Sequence, residues 1–175
     1  MTWNPQIHGQ TNEDMSYHYS EELFDISYKD KTILDLGASI GDAAEFFLFK
    51  GAKSVISVEG NKDLYEGLIV TSAFLVKNIT PIFMFIESPA QLEKLILQYK
   101  PDIVKSDIEG AEVHLCAIAD EVWKLVPEYL IEGHGGYSGC CSNDVIRSKC
   151  KQCGYTIVKD ITEIRFNCMI HAVRN

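Results

Sequence analysis

The densest chemistry in the chain lies in Ile33-Leu34-Asp35-Leu36-Gly37-Ala38-Ser39-Ile40-Gly41-Asp42. An apolar run ends at an acid, turns on two glycines and meets a second acid. A glycine in such a turn lets backbone approach a ligand, and one at the following helix start allows close packing. The dinucleotide fingerprint G-x-G-x-x-G, counted from Gly37, fails at Ser39 and Asp42, and no Gly-Lys-Ser/Thr of a phosphate loop is present. Asp35 and Asp42 would repel a pyrophosphate, so the turn suits a cationic or zwitterionic ligand. The next apolar run ends in Glu59-Gly60-Asn61. A carboxylate at a second strand end can accept both hydroxyls of a ribose. Together the two segments describe a site for an adenosine joined to something that is not an anion.

These residues need strands to present them. Short apolar runs at Thr32 to Leu36, Ser54 to Val58, Pro81 to Ile86, Asp102 to Ser106 and Tyr129 to Ile131 alternate with helical periods. The helices are expected at Gly41 to Lys50, Asn61 to Lys77, Ser88 to Tyr99, Gly110 to about Val122 or Leu125, and Ser142 to Gly154. Ser88, Pro89 and Gln91 form a helix-start signature. Tyr155 to Val158 and Ile164 to Ala172 are too close for a helical crossover and must pair antiparallel. The expectation is an α/β, doubly wound, seven-stranded and mostly parallel sheet with a C-terminal antiparallel hairpin and helices on both faces. Residues 31–175 make one domain. Residues 1–30 fall outside the alternation, as a lid over a ligand or a strap across the sheet edge.

The segments DLGASIGD, VISVEGNKDLYEGL and VKSDIEGAE resemble the class I S-adenosylmethionine-dependent methyltransferases, which have a Rossmann-like sheet. VKSDIEGAE is most similar to the FkbM-type family, whose fourth strand ends in K-x-D-x-E-G-A-E. The resemblance implies S-adenosylmethionine as cofactor and S-adenosylhomocysteine as product. It places Asp35, Gly37, Ala38, Ser39, Gly41 and Asp42 at the methionine end, and Glu59, Gly60 and Asn61 at the ribose. Glu87 and Ser88 fall near the adenine, although Ser88 also competes as a helix cap. Asp107 stands beside the methyl group. The implied reaction is in-line methyl transfer to a small-molecule, sugar or lipid hydroxyl. The alternatives are N-methylation of an amine or protein, and a cofactor-binding or scaffolding subunit without catalysis.

In this fold the fourth and fifth strand ends flank the methyl group. They carry Asp107 and Glu109, then Glu132 and His134, each pair spaced so that both members point to one side of a strand. His134 is the candidate general base, with Glu109 and Asp107 orienting substrate or cofactor. Glu109 and Glu112 can equally serve as carboxylates at a helix start, and Lys105 as an ion-pairing residue. A divalent metal on Asp107, Glu109 and His134 is the minor alternative, and no metal is assigned.

Composition narrows the classes further. The 175 residues carry 16 Lys and Arg against 25 Asp and Glu, for a net charge of −9. That balance disfavours nucleic acid as a partner. No apolar stretch reaches membrane-span length, and the polar start is unlike a signal peptide, so a cytoplasmic location is expected. Of six cysteines, Cys140, Cys141, Cys150 and Cys153 crowd together. A zinc ribbon needs spaced ligand pairs at both ends, and Cys140-Cys141 has none. Ile146, Cys150 and Cys153 instead recur at i, i+4 and i+7, an apolar helix stripe in which the thiols act as core filler.

Overall fold

A computed structural model of the chain describes residues 26–74, 78–134, 143–162 and 167–174. Seven strands form one sheet: β1 (Thr32–Leu36), β2 (Ser54–Glu59), β3 (Ile79–Phe83), β4 (Ile103–Ser106), β5 (Glu128–His134), β6 (Thr156–Thr162) and β7 (Asn167–Val173). Their spatial order is β3-β2-β1-β4-β5-β7-β6. The first five run parallel, while β7 pairs antiparallel with both β5 and β6. The chain reverses direction across the sheet at β1, so a crevice opens between the carboxyl ends of β1 and β4.

Strand alternation sorts the core into two layers. Ile33, Val55, Ile103 and Leu130 face α1 (Asp42–Phe49) and α2 (Lys62–Phe74) through Ala43, Phe47 and Leu68. Leu34, Ile56, Val104 and Ile131 face the opposite layer. That layer holds α3 (Pro89–Tyr99), α4 (Glu112–Cys116), α5 (Asp120–Trp123) and α6 (Asn143–Gln152). Burial on both faces explains why these strands read as continuous apolar runs. Ile26 and Tyr28 belong to the first layer. Tyr28 is fully buried, its ring centroid 5.0 Å from that of Phe47. Of the 1–30 segment expected as a lid or strap, Ile26 and Tyr28 thus pack into the core, and residues 1–25 lie outside the described residues.

Three local departures have physical causes. The expected third strand at Pro81 to Ile86 is shifted back to Ile79–Phe83. Proline fits there because β3 is an edge strand, and the freed Met84 to Ile86 turns toward the crevice. The single helix expected from Gly110 breaks into α4 and α5 at Ala119, whose backbone is extended (ψ 141°). There the Ala119 N–H donates to Glu93 Oε1 at 2.7 Å, and Lys149 Nζ donates to the Ile118 carbonyl at 2.7 Å. Finally, β5 continues past the expected end at Ile131 to His134, so Glu132 and His134 belong to the strand itself.

The cysteine stripe is as read. Cys150 and Cys153 are buried beside Ile146, and Gly154 ends the segment at φ 81°. Burial pushes the Cys150 thiol up to about 12, so it stays protonated and unreactive near neutral pH. Cys140, Cys141 and Ser142 lie outside the described residues.

Candidate active site

A cavity of about 630 Å³ occupies the crevice at the carboxyl ends of the strands. Its floor is the turn after β1. Gly37 stands at φ 76°, and a Cβ there would lie 1.7 Å from the Asp107 carbonyl oxygen. The glycine is thus required by the close approach of the Asp107 carbonyl, a reason beyond the ligand approach expected from the sequence. Gly41 (φ 99°) packs on Leu68 and Thr71 of α2, as expected of a helix-start glycine. Ser39 also adopts a left-handed backbone, φ 49°.

Glu59, ending β2, holds this turn in place. Its Oε2 accepts the Ser39 N–H at 2.8 Å and its Oε1 accepts the Asn61 N–H at 2.7 Å. Those bonds leave lone pairs on both oxygens for further donors. The Asn61 side chain caps α2 by accepting the Asp63 N–H at 2.9 Å. Gly60 lets Phe85 close in, since a Cβ at Gly60 would sit 2.8 Å from its ring. Leu64, Met84, Phe85 and Ile86 make an apolar wall beside Glu59.

Gly37, Ala38, Ser39, Asp42, Glu59, Gly60, Asn61, Asp107 and Glu109 all line the cavity. Asp35, Gly41, Glu87, Ser88 and His134 are not among its lining residues. Asp35 is wholly buried and paired with Lys105 Nζ at 3.1 Å, while that ammonium also donates to the Gly37 carbonyl at 3.0 Å. Burial pushes the Asp35 carboxyl up and Lys105 pulls it back. The pair supports the turn from beneath. Ser88 and Glu87 give their N–H groups to Gln91 Oε1, at 3.0 and 2.8 Å, and so serve the start of α3. Met84 and Phe85, just ahead of them in the chain, line the cavity instead. No motif marks that pair; the only signal is an exposed aromatic just past a strand end.

Across the crevice, at the ends of β4 and β5, acids gather around His134. Its Nδ1 is 3.0 Å from Glu112 Oε1, and both side chains are buried. Its Nε2 lies 3.7 Å from Asp107 Oδ1, 3.6 Å from Glu109 Oε2 and 3.9 Å from Glu132 Oε1. Glu109 reaches this position through a left-handed backbone, φ 50°, followed by Gly110 at φ 103°. The Glu112 hydrogen bond, reinforced by Glu109 and Asp107 against the cost of burial, raises His134 to about 9. Held this way, the ring is an imidazolium near neutral pH unless a cation takes the proton's place on Nε2, so these surroundings lend no support to the general-base role expected of His134. Glu112, expected only to meet a helix dipole, is the residue that orients the ring.

The cavity lining carries five carboxylates, from Asp42, Glu59, Asp107, Glu109 and Glu132, and one ammonium, from Lys105. That ammonium is already spent on Asp35. The donor set fits an adenosine bearing a sulfonium and an ammonium: ribose acceptors, an apolar slot for a base, and acid facing positive charge. It does not fit a pyrophosphate.

The sequence matches no protein-family model and no curated protein. The fold itself is shared with solved methyltransferases, one of them holding bound S-adenosylmethionine. Magnesium protoporphyrin IX methyltransferase of Synechocystis PCC 6803, solved with bound S-adenosylhomocysteine, superposes with a TM-score of 0.63 at 16% identity. That match covers 95% of this chain and 89% of the other. A proposed RNA methyltransferase of Pyrococcus horikoshii gives 0.61 at 17% identity, covering 93% and 80%. The fibrillarin pre-rRNA processing protein of Methanococcus jannaschii gives 0.61 at 19%, covering 85% and 69%.

Proposed function

We propose that the protein is an S-adenosylmethionine-dependent methyltransferase acting on a hydroxyl of a small molecule, sugar or lipid. The observation that carries this reading is Glu59. It stands on the wall of a switch-point cavity, braced by the Ser39 and Asn61 N–H groups, with acceptor capacity left for a ribose diol. S-adenosylmethionine supplies an already activated methyl group when bound. The chain's own work is then alignment and electrostatics. Ala38 and Ser39 present the turn to the amino-acid end, while Leu64, Met84 and Phe85 flank the base. Asp107, Glu109 and Glu132 surround the outlet from which an acceptor would approach. His134 stands behind those acids, 3.6 to 3.9 Å from each. The FkbM-type resemblance of VKSDIEGAE supports a hydroxyl acceptor, and the acidic lining supports a neutral or cationic acceptor over a polyanion.

The reading is tested by methyl transfer from labelled S-adenosylmethionine to a panel of sugar, lipid and phenolic hydroxyls beside amines. Turnover on hydroxyls is expected. Turnover confined to amines would replace the acceptor class. A melting shift with NADH and none with S-adenosylmethionine or S-adenosylhomocysteine would overturn the cofactor itself.

A further inference from the structure

The separations around His134 Nε2 are unusual. At 3.6 to 3.9 Å from Asp107, Glu109 and Glu132, they are too long for hydrogen bonds. They match instead the spacing of ligands on one ion. Ligand atoms about 2.0–2.3 Å from a shared cation lie roughly 3 to 4.5 Å from each other, from adjacent to opposite positions. One ligand atom each from Asp107, Glu132 and His134 all fall within 4.8 Å of one another.

Two further observations point into the same space. The imidazole is buried with Glu112 gripping Nδ1, which turns Nε2 toward the acids, and among the described residues those acids stand 3.6 to 3.9 Å from Nε2, beyond hydrogen-bond reach. A carboxylate on one ring nitrogen is the arrangement that orients a metal-ligating histidine. Asp107 Oδ1, moreover, is completely buried without a hydrogen-bond partner among the described residues.

We infer that Asp107, Glu132 and His134 form a site for a divalent first-row cation, with exposed Glu109 free to swing in as a fourth ligand. One imidazole and two carboxylates suit Mn2+, Fe2+ or Zn2+ better than an all-oxygen ion such as Ca2+. This reverses the sequence expectation of no metal. The sequence reading held Asp107, Glu109 and His134 as a minor metal alternative; the observed separations put Glu132 in the set in place of Glu109. Asp107 and Glu132 also line the cavity, so the cation would have one face toward it and could take an acceptor oxygen as a further ligand. That last clause rests on the methyltransferase reading; the cation site does not.

Mn2+ is the probe, added to the full-length chain after chelator treatment and without S-adenosylmethionine. Continuous-wave spin resonance should show one equivalent bound. Pulsed measurements should show coupling to an imidazole nitrogen, which a chance cluster of carboxylates cannot supply. Glu132→Gln and Asp107→Asn should each weaken binding at least tenfold, and His134→Gln should abolish the nitrogen coupling. Glu66→Gln, an exposed acid on α2, should bind as the parent does. Circular dichroism identifies any variant that has lost its fold, and the parent's nitrogen coupling stands independently of all of them. No saturable Mn2+ binding, binding without nitrogen coupling, or binding indifferent to folded Glu132→Gln would overturn the site. S-adenosylhomocysteine binding, measured separately, reports on the methyltransferase reading whatever the metal does.

Discussion

Gly37 and Glu59 do the most with the fewest atoms. Both were legible as chemistry because each ends an apolar run, and such runs are local in sequence. The reason for Gly37 was not legible, since the atom it avoids is the Asp107 carbonyl, far away in the chain. Gly37→Ala must therefore accept both a left-handed backbone and a clash that no rotamer can relieve. A loss on the order of 3 kcal/mol in urea unfolding is expected. A change within about 0.5 kcal/mol would mean that the turn is not packed as described. Glu112 was hidden for a similar reason. A carboxylate at a helix start is ordinarily solvated, and only tertiary packing reveals that this one is buried against His134.

Among the elements, the β1, β2 and β4 runs and the start of α3 were readable from pattern. The break between α4 and α5 was not. It depends on α6, whose Lys149 reaches across to the Ile118 carbonyl and to Asp120 Oδ1 at 2.6 Å. Gln152 adds a bond to Asp120 Oδ2 at 2.7 Å. Hydrogen bonds from Lys149 and then Gln152 hold the Asp120 carboxyl at about 2, below its ordinary 3.8. A carboxyl whose folded value is depressed contributes stability that is present above the unfolded value and lost as pH falls through the folded one. The parent should be more stable than Asp120→Asn at pH 6, and the difference should close between about pH 4 and pH 2. Denaturant titrations at a series of pH values check this. A gap that persists unchanged to pH 2 would remove the pairing of α6 with α5 from the account.

At the scale of the molecule, alternation of strands and helices was enough to foresee a doubly wound sheet with an antiparallel end. Pattern did not show that β7 inserts between β5 and β6, because pairing order depends on contacts between distant runs. The order β3-β2-β1-β4-β5-β7-β6 sets Glu59 and the Met84–Phe85 wall on one side of the crevice, and the His134 acids on the other. An elongated ligand with a neutral base at one end and positive charge at the other would lie across both. The most direct measurement is calorimetric titration of S-adenosylhomocysteine into the full chain and into Glu59→Gln, with circular dichroism to establish that both are folded. One site per chain is expected, weakened at least about tenfold in the variant, because a charge-assisted hydrogen bond contributes roughly 1.5–3 kcal/mol. No binding to the parent, or equal affinity in the folded variant, would contradict the cofactor site on which the account rests.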